Sequence, residues 1–272
     1  MSLDLSPDQL DRYSRHIIMD DVGPTGQAAL LDGRVLVIGA GGLGSPALQY
    51  LAAAGVGHLG VVDDDHVERS NLQRQVIHRD ADVGRPKVES AKEFVNAQNP
   101  DVTVETYETR LDETNVEEFL EEYDVVVDCS DNFATRYLVN DACTLAGVPF
   151  SHGAILRFEG QMTTFEANEG GPCYRCLFPS APEPGTVPDC ATAGVLGVLP
   201  GTVGTIQATE TIKLLIGHGE TLDGRFLVYD AEDMSFEEIP VQPRPDCPVC
   251  QEGGIESIHD VSYESTCGIG AD

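Results

Sequence analysis

A glycine-rich turn between an apolar strand and a helix limits the folds open to this chain. The run Arg34–Ile38 is apolar enough for a buried strand, and residues 39–44, Gly-Ala-Gly-Gly-Leu-Gly, follow it directly. A helical pattern then covers residues 43–54, and a second strand covers residues 58–63. Parallel strands need such a crossover helix. We therefore expect an α/β fold with a Rossmann-like, mostly parallel sheet flanked by helices.

The turn has the G-x-G-x-x-G pattern, in which a helix N-terminus attracts phosphate. Asp63 follows Gly44 by 19 residues, where a carboxylate that bonds ribose hydroxyls is expected. The motif alone is also typical of NAD-binding proteins, and a glycine turn can serve only close helix–strand packing. The glycines that we assign to the nucleotide are Gly39, Gly41, Gly42 and Gly44.

Further donors along the chain favour a triphosphate over a dinucleotide. They lie well beyond the first βαβ turn, where a dinucleotide pyrophosphate does not need them. A triphosphate does need them, because its charge must be held and then relieved at the leaving pyrophosphate. Each cation taken alone could instead form a surface ion pair. The donors are Ser70, Asn71, Arg74, Gln75 and Lys87.

Asp131 comes just after an apolar strand that ends at Asp128. This places it at the carboxyl edge of the predicted sheet, where ligands bind in such folds. A carboxylate there can hold Mg²⁺ bound to the phosphates. The alternative is that Asp131 caps the helix predicted from Asn132.

The charge balance is strongly acidic: the 272 residues carry a net charge of −30, with 46 acids and 16 bases. Nucleic acids and anionic membranes require a basic face, so we expect neither as a partner. No apolar run reaches the ~18 residues of a membrane helix, and we see no secretory signal pattern. The scattered acids suit the salt-loaded cytoplasm of a halophilic archaeon, because molar salt shortens the Debye length to ~3 Å. An acidic surface for a basic partner is the alternative.

Four of the eight cysteines form two Cys-x-x-Cys pairs. Four thiolates are the ligand set of a closed, structural zinc site. Such a site would staple a long loop, residues 166–200, to the C-terminal part of the chain. An iron–sulfur site or a redox pair is the alternative, although a redox pair needs no twin. The predicted zinc ligands are Cys173, Cys176, Cys247 and Cys250.

The remaining cysteines differ in context. Cys129 ends an apolar strand and Cys143 lies within a helix, which predicts core positions for both. Cys190 lies in the long loop, where a thiol can act as a nucleophile if its pKa is lowered. Its neighbours Asp189 and Ala191 offer no cation for that purpose. Catalysis and packing are both open for Cys190.

These motifs resemble those of the MoeB/ThiF/HesA family, which is related to the adenylation half of ubiquitin-activating enzymes. With the acidic composition, the resemblance is to a haloarchaeal enzyme that activates small ubiquitin-like modifiers. It runs in order over about residues 5–252. It rests on Arg12-Tyr-Ser-Arg15-His-Ile, the glycine loop with Ser45, residues 70–75, Gly84-x-Pro-Lys87, Asp128-Cys-Ser-Asp131-Asn132 and both Cys-x-x-Cys pairs.

The resemblance implies one adenylation domain over residues 1–252. Its nucleotide-binding part would span about residues 1–150, and its zinc and carrier-binding part about residues 151–252. We expect residues 253–272 to form a mobile tail, because they are polar and contain glycines.

The resemblance also implies an activity: ATP-dependent adenylation of the C-terminal glycine carboxylate of a small ubiquitin-like carrier ending in Gly-Gly. ATP, Mg²⁺ and Zn²⁺ would be bound, with Asp65 and Asn132 among the nucleotide ligands. In a homodimer, Arg15 would reach into the partner subunit's site and act there with Arg74 and Lys87. Cys190 matches a cysteine that forms a thioester in some members.

The product would feed protein conjugation, or sulfur transfer from a separate donor protein for molybdopterin synthesis or tRNA thiolation. Two alternatives are a tRNA-modifying adenylating cyclodehydratase of the same superfamily and an NAD-dependent oxidoreductase. The acidic charge argues against the first, and the phosphate donors argue against the second.

Overall fold

The strands build a single sheet in the computed structural model of the chain, which describes residues 5–168, 170–182 and 193–263. They are β1 (Arg34–Ile38), β2 (His58–Val62), β3 (Thr103–Tyr107), β4 (Val125–Asp128), β5 (Phe150–Leu156), β6 (Glu159–Phe165), β7 (Arg225–Asp230) and β8 (Ser235–Pro240). Their order is β3-β2-β1-β4-β5-β6-β7-β8.

The first five strands in this order, β3, β2, β1, β4 and β5, are parallel to one another. Strand β6 pairs antiparallel with β5, β7 with β6, and β8 with β7. The chain leaves β1 toward β2 on one side and later returns to β4 on the other. The sheet order thus reverses between β1 and β4, and ligands bind at the carboxyl ends of strands at such a switch point. The prediction of a Rossmann-like, mostly parallel sheet is confirmed.

Helices cover both faces of the sheet. They are α1 (Pro7–Arg12), α2 (Ser14–Ile17), α3 (Gly23–Asp32), α4 (Gly44–Ala54), α5 (Lys87–Gln98), α6 (Val116–Leu120), α7 (Phe133–Ala146), α8 (Tyr174–Leu177) and α9 (Leu199–Ile216). Successive side chains of β1 point alternately to the two faces of the sheet, as in any β-strand. Val35 and Val37 pack with α3, α4, α5 and α9, whereas Leu36 and Ile38 pack with α6 and α7.

The sequence of the N-terminal region predicts one helix that runs to about Ile18, with a capping box of Ser6 and Gln9 at its start. The capping box is present, but two short helices that meet at Tyr13 take the place of the single helix. Tyr13 is buried and forms hydrogen bonds with Asn99 and Asp101, so its ring packs into the fold at the point where the two helices meet.

The predicted mobile tail is wrong for residues 253–263. Ile258 is fully buried against α7, and the Tyr263 hydroxyl donates to Asp141 at 2.7 Å. A buried apolar side chain and a buried hydrogen bond anchor this segment to the domain. Residues 264–272 lie outside the described part of the chain.

Two further observations bear on the sequence analysis. Cys129 and Cys143 are both buried in the core, as predicted. None of the helices in the described residues is long and apolar enough to span a membrane.

Candidate active site and zinc centre

The turn from β1 into α4 requires glycine at two positions. Gly39 has φ +95°, which side chains rarely adopt. A Cβ at Gly44 would lie 1.9 Å from the carbonyl oxygen of Gly39. The first and last glycines therefore let the loop fold tightly onto the start of α4.

The outer side of the loop faces two of the predicted phosphate ligands. A Cβ at Gly41 would lie 3.5 Å from Gln75 Nε2, and one at Gly42 would lie 3.6 Å from Arg74 Cδ. Arg74 Nη2 donates to Asn71 Oδ1 at 3.0 Å, which orients the half-buried guanidinium. Arg74 and Gln75 thus lie beside the glycine loop, and Asn71 is hydrogen bonded to Arg74, while their role as phosphate ligands stays a prediction.

Gln75 carries an unsatisfied acceptor beside this loop. Its side chain is 4% exposed, and its Oε1 atom is buried without a hydrogen-bond partner among the described residues. A buried acceptor without a donor costs free energy unless a ligand or water supplies one. This orphaned atom and the cradle of small residues fit a nucleotide.

Asp63 ends β2 and is tied to the same loop. Its Oδ2 accepts from the Ala40 amide and its Oδ1 from the Asp65 amide, both at 2.8 Å. Burial raises the pKa of Asp63, and the Lys87 ammonium opposes that rise. Lys87 Nζ lies 2.6 Å from Asp65 Oδ2 and 3.9 Å from Asp63 Oδ1.

Lys87 does not form a surface ion pair, because its side chain is only 6% exposed. A buried cation between two acids is well placed to be shared with an incoming polyphosphate.

The loop after β4 separates the roles of Asp131 and Asn132. Asn132 Oδ1 accepts from the Thr135 amide at 2.9 Å and caps α7, so the alternative of Asp131 as the cap is wrong. Asp131 remains exposed at the carboxyl edge of the sheet. An exposed carboxylate in that position fits a Mg²⁺ ligand.

Sequence reasoning missed a buried polar pair beneath this loop. His152 Nδ1 lies 2.7 Å from Asp128 Oδ2, and the Ser130 amide donates to Asp128 Oδ1 at 3.0 Å. Arg136 donates to the Ser130 carbonyl at 3.2 Å. The only available signal was a histidine within the apolar run of β5.

Two predicted residues, Arg15 and Ser70, are not brought to the site. Arg15 is exposed on α2, and no hydrogen bond or ion pair joins it to a described residue. The exposed Ser70 hydroxyl donates to Glu68 at 3.1 Å rather than toward the loop. Cys190 lies outside the described residues.

The two Cys-x-x-Cys pairs meet as predicted. The four Sγ atoms lie within 4.8 Å of one another. The Cys173–Cys247 and Cys176–Cys250 sulfur distances are 3.5 and 3.3 Å. A tetrahedral ion with Zn–S bonds of about 2.3 Å places its ligand sulfurs about 3.8 Å apart, so the cluster fits zinc.

Thiolate character is already present in this cluster. The hydrogen bond from Cys173 lowers the pKa of Cys247 to about 4, and the same bond, with burial, raises the pKa of Cys173. The Arg244 amide also donates to Cys176 Sγ at 3.3 Å. Such amide donors stabilise the negative charge of a metal-bound thiolate.

Residues 13–249 match the sequence profile of the ThiF family. The chain belongs to the ThiF family. Its relatives include the SAMP-activating enzyme E1 of Haloferax volcanii, 66% identical over 272 residues, 100% of both chains. The sulfur carrier protein adenylyltransferase of Thermus thermophilus is 52% identical over 266 residues, covering 96% of this chain and 98% of its own.

Solved structures of low sequence identity share the fold of this family member. The crystal structure of E. coli MccB aligns with a TM-score of 0.80 at 22% identity, covering 94% of this chain and 76% of that one. The structure of PaaA aligns with a TM-score of 0.75 at 23% identity, covering 88% and 76%.

Proposed function

We propose that this ThiF-family protein uses ATP to adenylate the C-terminal glycine carboxylate of a small ubiquitin-like protein. One observation carries the proposal: the glycine loop, the buried Lys87 with Asp63, and Arg74 lie together at the switch point of the sheet. The relatives named for activating SAMP and for adenylating a sulfur carrier support the choice of substrate.

The reaction is in-line displacement at the α-phosphorus of ATP. A carboxylate oxygen of the carrier forms the new P–O bond, and the bond to the bridging oxygen of pyrophosphate breaks. A terminal carboxylate has a pKa near ~3.5, so it is ionised without a general base. Catalysis therefore consists of positioning and of neutralising charge on the leaving pyrophosphate.

Each side chain has one task in this scheme. Asp63 accepts from the ribose hydroxyls, and Asn71 donates to phosphate oxygens. Arg74 and Lys87 neutralise charge that develops on the pyrophosphate. Asp131 would hold Mg²⁺, which shields the phosphates when bound.

Exposed apolar side chains at the same sheet edge offer a docking surface for the carrier. Strand β5 ends at the edge where β4 ends, so the β5–β6 and β7–β8 turns both lie there. Phe158, Met234 and Phe236 are 44, 73 and 52% exposed at these turns. Large apolar patches on a soluble domain mark interaction sites. A carrier seated here would have its C-terminal tail on the side of the glycine loop.

A homodimer would complete the site. Arg15 is exposed on α2, whose His16 lines a depression of about 470 Å³ together with Tyr50 of α4 and Ile212 of α9. A second copy that covers this face would place Arg15 of the partner subunit near the phosphates. Cationic residues supplied in trans stabilise charge in other phosphoryl-transfer sites.

A second half-reaction would release AMP. Cys190, or a persulfide on a separate sulfur donor, attacks the acyl carbon of the adenylate and displaces AMP. Attack by Cys190 gives a carrier thioester for conjugation. Attack by the persulfide gives an acyl disulfide, and a second thiol must then attack the donor sulfur, which forms a disulfide with the donor and releases the carrier thiocarboxylate for molybdopterin synthesis or tRNA thiolation. A reducing cytoplasm suits both the thiol and a Zn²⁺ site of four thiolates.

Labelled ATP tests the first half-reaction. With a Gly-Gly carrier at high KCl, label from the α-phosphate should appear on the carrier, and label from the γ-phosphate in pyrophosphate. Transfer of the γ-label to the carrier, or no transfer of either label to any such carrier, would contradict the proposal. Added tRNA should have no effect if the carrier is the substrate.

A further inference from the structure

The Ala40 carbonyl, within the glycine loop, is held by a buried histidine. We infer that His78 is a positioning residue that fixes this loop in the shape that receives the phosphates of ATP. The inference rests on the proposed ATP-dependent activity and adds to it a residue outside the ligands assigned above. His78 is 5% exposed, and its Nε2 lies 2.9 Å from the Ala40 oxygen.

The chemistry of the two partners sets the tautomer. A carbonyl oxygen only accepts hydrogen bonds, so Nε2 must carry the proton. Burial lowers the pKa of His78, which favours the neutral ring. Nδ1 is then an acceptor for the Ser90 hydroxyl 2.8 Å away, which shares its one proton between Nδ1 and Asp82 Oδ2 at 3.1 Å. Both ring nitrogens are therefore satisfied in the interior.

Ala40 is held from two sides. Its amide donates to Asp63 Oδ2 at 2.8 Å, and its carbonyl accepts from His78. The residue lies between Gly39, at φ +95°, and Gly41, so the backbone on either side is permissive. Without the imidazole, the loop would lose a restraint on its conformation, and a buried carbonyl would lose its donor.

The same histidine braces the loop against α5. Ser90 lies one turn beyond Lys87, the first residue of that helix. The loop whose amides face the phosphates and the helix that carries Lys87 are thus joined through one imidazole. Their relative position determines whether amides and ammonium converge on the same triphosphate.

Two substitutions of His78 test the contacts of Nε2 and Nδ1 separately. In His78→Gln the side-chain amide reaches the position of Nε2 and keeps a donor for Ala40. In His78→Asn the amide reaches only the position of Nδ1 and keeps the contact with Ser90. We would measure the ATP dissociation constant by calorimetry without carrier, the KM for ATP and for carrier, and the thermal midpoint.

We expect His78→Asn to weaken ATP binding by about 10-fold or more, the range for a buried acceptor left unpaired. His78→Gln should stay within about threefold of wild type, and the KM for carrier should change little in either variant. Equal losses in the two variants, or ATP affinities that simply follow their thermal midpoints, would overturn the inference.

A further variant guards against misfolding. If His78→Asn does not fold, Ser90→Ala removes the contact with Nδ1, together with the hydrogen bond from Ser90 to Asp82 Oδ2. It should raise the KM for ATP about threefold with kcat unchanged. An unchanged KM would again overturn the inference. Wild-type protein that binds no ATP at all would instead remove the proposed function, so the two failures are distinguishable.

Discussion

The Asp128 carboxylate and the His152 imidazole lie 2.7 Å apart, with side chains 0 and 1% exposed. Asp128 ends β4 and sits opposite His152 in the register of β5. Burial lowers the pKa of His152, although the Asp128 carboxylate opposes this. Burial works to raise the pKa of Asp128, but its hydrogen bonds with His152 and Ser130, together with neighbouring charges, outweigh burial, and the pKa is lowered. A neutral histidine that donates to a carboxylate therefore supports the loop that carries Asp131.

This pair predicts how stability depends on pH. A histidine whose pKa is lowered on folding is protonated first in the unfolded chain, from pH ~6.5 downward. The free energy of unfolding should therefore fall as the pH drops below that value, by up to about 1.4 kcal/mol per pH unit for His152. His152→Asn keeps a donor for Asp128 but cannot titrate, so its stability should depend less on pH.

Urea unfolding at pH 7.5 and 5.5, in constant high KCl, measures this difference. The loss of stability between the two pH values should be smaller in His152→Asn than in wild type. An equal loss in both proteins would mean that folding does not lower the pKa of His152. The contribution of Asp128 to the free energy of unfolding changes at lower pH. Because its pKa is lowered in the folded state, that contribution is lost only below pH ~4.

Substitution of either Arg74 or Arg15 should abolish activity, and the two inactive variants should complement each other in mixed dimers. Arg74→Ala should lower ATP–pyrophosphate exchange by at least about 100-fold, as when a charge-stabilising group is removed, with the fold intact. Arg15→Ala should disable the partner's site. In an equal mixture after subunit exchange, half of the dimers are mixed and hold one complete site, so about a quarter of the wild-type rate should return.

Arg69→Ala is the matched control for the first variant, because Arg69 is an exposed arginine paired with Asp80. It should exchange at the wild-type rate. If the mixture of Arg74→Ala and Arg15→Ala has only the summed activity of the two variants, Arg15 does not act in trans. Exchange unaltered in Arg74→Ala would remove Arg74 from the site.

Zinc should be structural. Metal analysis should find one zinc ion per chain in wild type, and Cys176→Ser, which leaves three thiolates, should lose it. Its thermal midpoint should fall by about 5 °C or more, because metal binding is coupled to folding. Cys143→Ala, at a buried cysteine away from the cluster, should retain its zinc. Wild-type protein of full stability without zinc would contradict this assignment.

Cys190 should matter only after adenylation. Cys190→Ser is expected to keep ATP–pyrophosphate exchange and to lose covalent transfer of the carrier, since the two half-reactions are separate. Exchange and a gel assay for the carrier–protein conjugate measure them independently. Normal conjugation and sulfur transfer in the variant would make Cys190 a packing residue. Loss of exchange would make it structural to the ATP site.

Strands β1, β2 and β4 could be predicted because each is a short apolar run next to a glycine or acidic boundary. Helix α3 was missed, because its first turn, Gly-Pro-Thr-Gly, reads as a loop. The sequence predicts this last helix, α9, only from Gly204, five residues after its first residue Leu199, because Pro200 and Gly201 read as breakers. Proline is tolerated in the first turn of a helix, where its missing amide would be unpaired anyway.

The site was predictable where side chains lie near their motif in sequence. Asp63 follows the glycine loop at the spacing expected of a ribose ligand, and Arg74 and Lys87 are notable cations in a chain with few bases. His78 and His152 could not be assigned, because their partners Ala40 and Asp128 lie 38 and 24 residues away and meet them only in the folded chain. Long-range pairing of this kind leaves no periodic signal in a single sequence.

ATP–pyrophosphate exchange at high KCl, with and without small proteins ending in Gly-Gly, tests the central claim most directly. The proposed adenylation requires a carboxylate acceptor, so exchange should appear only with a carrier whose terminal glycine is present. Deleting that glycine should abolish it. Exchange that is independent of any carrier, or absent with every Gly-Gly carrier while ATP still binds, would contradict the account.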